Sequence, residues 1–145
     1  MFFKSLFKSS LAVLKDEIKQ HFAQFLEDHN FVSASDPVFE EVYKNIALLY
    51  RSPKFEIFIA RRGDVSVSGR PTYTDESWIS IAAVLDIARG SEIPIGIKTS
   101  ELASLMEEHY EFLERFFSRA YEKERKLAYQ SIYRIREYPA RKSKG

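Results

Sequence analysis

Alternating apolar and polar positions predict that residues 46–70 form a run of β-strands. Along the middle strand, one face carries Phe55, Ile57 and Ile59, and the other carries Glu56, Phe58 and Ala60. Because the second face is only partly polar, we expect this strand to be covered on both sides. Pro53 and Gly63 stand in the short links on either side of it, where proline presets a turn and glycine accepts a positive φ. Short links favour adjacent antiparallel strands in a meander.

The preceding segment, residues 38–50, fits two periods. A strand period gives a four-stranded meander, with predicted strands at Phe31–Ser35, Glu41–Arg51, Phe55–Arg61 and Asp64–Ser68. A helical period fits nearly as well, and Asp36 followed by Pro37 is a typical helix start. Periodicity does not decide between the two. We adopt the strand interpretation and keep the helical one open.

Apolar residues at steps of three and four predict helices on both sides of the meander. The predicted helices run from Phe3 to Asp28, from a cap at Thr74 or Asp75 to Arg89-Gly90, and from a cap at Thr99 or Ser100 through Ala120, with a break or solvated surface at 122–126. The predicted fold is therefore α+β: an N-terminal helix, an antiparallel β-meander of three to four strands, and two C-terminal helices packed on the sheet. We expect one domain, residues 1–138, and a disordered basic tail, residues 139–145.

Composition narrows the class of protein. The chain has 145 residues, 45% hydrophobic and 30% charged, which is typical of one globular domain. It contains no cysteine, which excludes disulfides and thiolate metal sites and fits a reducing compartment. No apolar run is long enough for a transmembrane helix, and Lys4 and Lys8 interrupt any signal-peptide core. We therefore expect a cytoplasmic protein.

Charge is unevenly distributed along the chain. Residues 121–145 hold 8 Lys/Arg and 3 Asp/Glu, whereas the net charge of the whole chain is only +1. Tyrosines are interleaved with these cations, as in proteins that pair with phosphates and stack on bases. The candidate nucleic-acid-binding residues are Arg125, Lys126, Arg134, Arg136, Arg141 and Lys142. A solvated helix or a contact with a second copy of the chain explains the same pattern.

A second candidate surface is acidic. Asp36, Glu40, Glu41, Asp75 and Glu76 flank the predicted sheet in sequence. If these segments meet at one edge, their carboxylates form a negative patch that steers a basic protein partner. Trp78 and Tyr73 are residue types that dominate interface hot spots, although a tryptophan in an apolar helix is more often in the core.

The sequence carries no motif for catalysis. It has no glycine-rich phosphate loop, dinucleotide fingerprint or nucleophile elbow, so we predict no cofactor. His21, His29 and His109 lack the spacing of a histidine pair on one metal ion, so we predict no metal site. No carboxylate pair is marked out as an acid and a base, and we expect a binding protein rather than an enzyme.

The order of segments carries a resemblance. A strand ends in Leu48–Pro53, two strands follow at Phe55–Ile59 and Arg61–Val67, and Glu76–Ile79 opens a helix. This order resembles a class of small stand-alone bacterial α+β proteins, some of which are similar to immunity proteins of toxin systems. The resemblance covers residues 31–120 and has no diagnostic motif, so it implies no particular binding residues. It implies a protein-interaction module, and an immunity-type inhibitor of a cognate protein is its specific form. The alternative is a nucleic-acid-binding accessory protein that uses the basic C-terminal helix.

Overall fold

The protein is built on one antiparallel sheet whose five strands lie in sequence order. A computed structural model describes residues 10–43, 46–94 and 96–132. The strands are β1 (Val32–Ser33), β2 (Ala47–Arg51), β3 (Phe55–Arg62), β4 (Asp64–Pro71) and β5 (Ile79–Ser80). The predicted α+β fold is confirmed, with five strands instead of three to four. Both edge strands have only two residues, and β5 pairs with Ser68 and Gly69 of the longer β4.

The central strand β3 shows why the sheet forms. Phe55, Ile57 and Ile59 are fully buried on one side, as their alternation predicts. Residues 56, 58 and 60 on the other side are also less than a tenth exposed. The prediction of a strand covered on both sides is therefore confirmed. Gly63, with φ at 81°, closes the hairpin that pairs β3 with β4.

Most helices pack on one side of the sheet, which we call the closed side. They are α1 (Ser10–His21), α2 (Ala23–Asp28), α4 (Ile81–Arg89), α5 (Thr99–Glu108) and α6 (Tyr110–Phe116). Their buried side chains and those of β3 form one core cluster, with Phe22, Leu85 and Met106 fully enclosed. Packing is close enough that a Cβ on Gly69 of β4 would lie 2.9 Å from Cδ1 of Ile81.

The long predicted helices are interrupted. The N-terminal helix breaks at Phe22, between α1 and α2, and the predicted residues before Ser10 lie outside the described part. The C-terminal helix breaks at His109, between α5 and α6. A short 3-10 helix, Arg119–Tyr121, then leads into α7, which is helical over residues 122–132. The predicted tail, 139–145, also lies outside the described residues.

Residues 38–43 correct the strand interpretation. They belong to a short helix, α3 (Pro37–Tyr43), and β2 begins only at Ala47. The Oδ1 atom of Asp36 accepts the N–H of Phe39 at 2.8 Å, so the helix start anticipated as the alternative is the one that forms. The rings of Phe39 and Tyr43 pack on Phe58 of β3. Helix α3 thus covers part of the sheet's second side, which we call the open side.

The segment before α4 also differs from its prediction. Thr74, Asp75 and Glu76 lie in a loop, and α4 begins at Ile81. The intervening residues 79–80 pair with β4 as the fifth strand, and this pairing prevents an earlier helix start. The predicted C-terminal cap is confirmed, since Gly90 has φ at 71° in the left-handed region. Helix α5 has Lys98 at its N-cap, so the predicted cap at Thr99 or Ser100 is wrong.

Candidate functional site

Arg125, one of the basic candidates, is fully buried in α7. Its Nε and Nη2 donate to the two oxygens of Glu76 at 2.8 and 2.7 Å. Its Nη1 donates to the carbonyls of Phe116 and Ser118, both at 2.8 Å. Its Nη2 also donates to the hydroxyl of Tyr73 at 2.5 Å. All five N–H donors of the guanidinium are therefore used inside the protein.

This arrangement makes Arg125 a structural residue. Burial alone would lower its pKa, but the hydrogen bonds to Glu76 and Tyr73 and the charge of Glu76 outweigh burial and raise the pKa. The guanidinium stays charged and has no donor left for a phosphate. The expectation that residues 122–126 form a solvated surface or a break is therefore wrong at Arg125.

The remaining basic candidates divide into two groups. Lys126 is exposed on α7, and its Nζ lies 3.9 Å from Oε1 of Glu122, one helical turn away. Arg134, Arg136, Arg141 and Lys142 lie outside the described residues. Within the described part of α7, the basic character that suggested nucleic acid is thus reduced to Lys126 and its exposed neighbour Lys123.

The five acidic candidates have different structural roles. Glu76 is committed to Arg125, and Oδ1 of Asp36 caps α3. Glu40 and Glu41 are exposed on α3, and Asp75 is exposed in the loop before β5. Two of the five carboxylates are therefore hydrogen-bonded within the fold, and four of the five residues, all except Glu76, are exposed.

A second arginine–glutamate cluster lies on the open side of the sheet. Arg51 of β2, Glu56 of β3 and Arg70 of β4 are direct cross-strand neighbours. The Nε of Arg51 donates to one oxygen of Glu56 at 2.7 Å, and the Nε of Arg70 donates to the other at 2.5 Å. The Glu56 side chain is 5% exposed, whereas those of Arg51 and Arg70 are 49% and 26% exposed. Solvent therefore reaches the cluster only through its cations.

Trp78 extends this cluster. The guanidinium carbon of Arg70 lies 4.3 Å from the centroid of the Trp78 ring, in a cation–π contact. The same ring packs edge-on against Phe58, with the centroids 4.8 Å apart. The prediction that Trp78 lies in the first turn of a core helix is therefore wrong. Trp78 lies just before β5, at the partly exposed border of the open side.

A depression of about 320 Å³ joins these features; we call it the α3 depression. It is lined by apolar and aromatic residues, Val38, Phe39, Val42, Tyr43, Leu49 and Trp78, and by three charged residues, Asp36, Arg51 and Arg70. Val38 and Val42, one helical turn apart, are 72% and 67% exposed, unusually high for valine. The depression thus combines an exposed aliphatic wall, aromatic rings and two guanidinium groups.

A different depression, of about 460 Å³, lies at the α5–α6 junction. His29 Nε2 and Glu107 Oε2 are 2.5 Å apart there, and the His29 ring stacks on Tyr110 with centroids separated by 3.5 Å. Burial and the charges of Glu114 and Glu107 raise the pKa of Tyr110 to about 12. In the described ranges, no three His, Asp or Glu side chains are arranged to hold a metal ion. The contacts of His29 with Glu107 and Tyr110 join the end of α2 to α5 and α6.

Comparison with known proteins finds no matching family model, curated protein or solved structure. The helices of the described residues lack the length and apolar content needed to cross a bilayer. The resemblance to small bacterial proteins and immunity proteins stays a prediction. Functional inference therefore rests on the geometry of this chain.

Sequence reasoning missed most of the α3 depression. The strand interpretation of residues 41–46 assigned Val42 to a sheet, which hid its place beside Val38 on a helix. The signal that could have found it is the Asp36-Pro37 start followed by valines one turn apart. The pairing of Glu56 with two arginines was also missed, because it depends on the register of three strands.

Proposed function

We propose that this protein is a non-catalytic protein-interaction module and that the α3 depression is its contact surface. The observation that carries the proposal is the exposure of Val38 and Val42 beside Trp78, Arg51 and Arg70. Tryptophan, tyrosine and arginine are enriched among the residues that dominate binding energy, and an aliphatic wall supplies apolar area to bury.

The shape of the surface supports the same proposal. The α3 depression is open to solvent on the side of the valines, which are 72% and 67% exposed, so it suits the side chains of another protein. Its rings are held by one another, since Phe39 and Tyr43 pack on Phe58, which also contacts Trp78. A surface already ordered in the free protein loses little conformational entropy on binding. An immunity-type inhibitor, which covers the working surface of a cognate protein, is the specific form that we propose.

Capture of a partner from native-cell lysate tests the proposal. We expect the wild-type protein, at moderate salt and after nuclease treatment, to retain one partner in near-equal amount by mass spectrometry. A Val38→Glu/Val42→Glu variant should lose it, because two charges would enter the apolar wall. Both positions are exposed on a helix, so we expect the free energy of unfolding to change by less than about 0.5 kcal/mol per substitution.

The matched control is Leu127→Glu, which places the same charge at a 59% exposed leucine of α7, outside the α3 depression. Capture should survive this substitution. Equal loss in both variants, or retention in the double valine variant, would contradict the proposed surface. Recovery of nucleic acid alone in a sample without nuclease would favour the alternative function at the basic C-terminal end.

A further inference from the structure

We infer that the segment entering the α3 depression carries an acidic side chain directly beside an apolar one. This inference rests on the proposed function and names the chemistry of the partner. It follows from the N–H donors of Arg51 and Arg70 that Glu56 does not accept, and from the position of Val38 and Val42 in the same depression.

The first step concerns charge. Glu56 supplies one negative charge between two guanidinium groups, so the cluster keeps a net positive charge. Asp36 is the third charged residue of the depression, and its Oδ1 is held by the N–H of Phe39 at the start of α3. Counted with the carboxylates of Glu56 and Asp36, the two guanidinium groups leave no net charge in the depression, so a partner carboxylate would be attracted locally by Arg51 and Arg70.

The second step concerns donors. Among the residues that the structure describes, Glu56 accepts hydrogen bonds from the Nε of Arg51 and the Nε of Arg70 and from no other side chain. Within the described ranges, no protein acceptor is recorded for the Nη atoms of either arginine. Each guanidinium therefore retains donors that a carboxylate can accept, and such charge-assisted bonds are among the stronger hydrogen bonds in proteins.

The third step concerns order. Arg70 is held from two directions, by Glu56 at its Nε and by the Trp78 ring at 4.3 Å. A guanidinium fixed in this way loses less rotational freedom when it binds a carboxylate than a free arginine would. Arg51 is paired through its Nε with the other oxygen of Glu56 and, at 49% exposure, presents a second and less restrained guanidinium.

The fourth step places the apolar group. Val38 and Val42 line the same depression as Trp78 and both arginines. Its volume of about 320 Å³ is at the lower end of the range for ligand pockets, which suits individual side chains better than a cofactor. An aromatic or aliphatic side chain packed on the valines and Trp78 would place a neighbouring Glu side chain within reach of the guanidinium groups.

Peptide titration followed by NMR tests this chemistry. The probes are Ac-Gly-Phe-Glu-Gly-NH2 and its Gln counterpart, added to the full ¹⁵N-labelled chain. Trp78 is the only tryptophan, so its indole N–H resonance is an unambiguous reporter of the depression. We expect the Glu peptide to shift this resonance and to bind about 5- to 10-fold more tightly than the Gln peptide, as charge-assisted hydrogen bonds require.

The Arg51→Gln/Arg70→Gln variant should remove the preference for the Glu peptide. If this double variant does not fold, Arg51→Gln alone, at the more exposed position, should reduce the preference. A third probe, Ac-Gly-Phe with a free terminal carboxylate, separates a chain terminus from an acidic side chain. Tighter binding of this third probe would overturn the assignment to an internal Glu or Asp.

Equal affinity for the Glu and Gln peptides would also overturn the inference, and so would the absence of binding by both. Neither result would decide the proposed function, because loss of partner capture in the valine variant is measured independently. Conversely, a clear preference for the Glu peptide together with unchanged capture by the valine variant would support the acidic ligand and contradict the proposed contact surface.

Discussion

Each of the two sides of the sheet is associated with an arginine–glutamate cluster, and the two clusters are built in opposite ways. On the closed side, Arg125 is fully buried and all five of its donors have acceptors in the protein. On the open side, the carboxylate of Glu56 is buried and the cations of Arg51 and Arg70 reach solvent. Identical residue types therefore close one part of the molecule and leave another with capacity to bind.

The difference originates in what each cluster connects. The Arg125 cluster joins α7 to the end of α6, nine residues away, and to the loop before β5, 49 residues away at Glu76. It acts as a clamp between elements. The Glu56 cluster joins three adjacent strands that backbone hydrogen bonds already hold together. It adds less to the fold, and its two arginine side chains are 49% and 26% exposed. The number of guanidinium N–H donors without an acceptor among the described residues thus distinguishes Arg125, which stabilises the fold, from Arg51 and Arg70, whose Nη atoms can still donate.

The largest effect on the free energy of unfolding is expected when Arg125 is substituted. Arg125→Met would leave the carboxylate of Glu76 and the carbonyls of Phe116 and Ser118 without their partner. Breaking a buried ion pair from one side costs about 3–5 kcal/mol, so we expect a loss of that size in the free energy of unfolding. Urea denaturation followed by circular dichroism measures it.

The matched control for this variant is Lys126→Met, one position further along α7. The Lys126 side chain is 64% exposed, and its Nζ lies 3.9 Å from Oε1 of Glu122, too far for a short hydrogen bond. Its removal should therefore change the free energy of unfolding by less than about 0.5 kcal/mol. Similar effects of the two substitutions would show that Arg125 does not clamp the fold.

The sequence predicted those features that depend on neighbours along the chain. Alternation in residues 55–60 predicted both faces of β3, and Gly90 predicted the end of α4; both are confirmed. Residues 38–50 fit two periods, and the adopted strand interpretation is wrong over residues 38–43, where the Asp36 cap and the packing of Phe39 on Phe58 accompany helix α3.

The candidate site was far less predictable. Arg125 stands in a run of charged residues that looks solvated, and two of its acceptors are backbone carbonyls, which leave no trace in sequence. The open cluster depends on the register that places Arg51 and Arg70 opposite Glu56. Val38 and Val42 were visible as apolar positions, but only the fold shows that they remain exposed.

An intermediate effect is expected at Glu56. In Glu56→Gln the amide NH2 group would face the Nε donor of one arginine, so one hydrogen bond would be lost and the two cations would repel each other. Because both arginines can regain water, we expect a loss of about 1–2 kcal/mol in the free energy of unfolding, less than for Arg125→Met. Glu41→Gln, at an exposed position of α3, is the control and should be nearly neutral. A loss as large as that of Arg125→Met would mean that the open cluster is also a clamp.

The smallest effect concerns Tyr110, whose ring stacks on His29 on the closed side. Burial and nearby carboxylates raise its pKa to about 12, so the folded protein favours the neutral phenol. The resulting stability is fully present below pH 10, the ordinary tyrosine value, and is lost as the pH rises through 12. A two-unit shift corresponds to about 2.7 kcal/mol, and partial exposure reduces the expected effect to about 1 kcal/mol.

Urea denaturation at each pH tests this expectation with the Tyr110→Phe variant. Between pH 9 and 11.5, the free energy of unfolding of the variant should fall by about 1 kcal/mol less than that of the wild type. Tyr50, whose pKa burial also raises, titrates in both proteins and cancels in the comparison. Parallel losses in the two proteins would show that the Tyr110 phenol is not held neutral by the closed side.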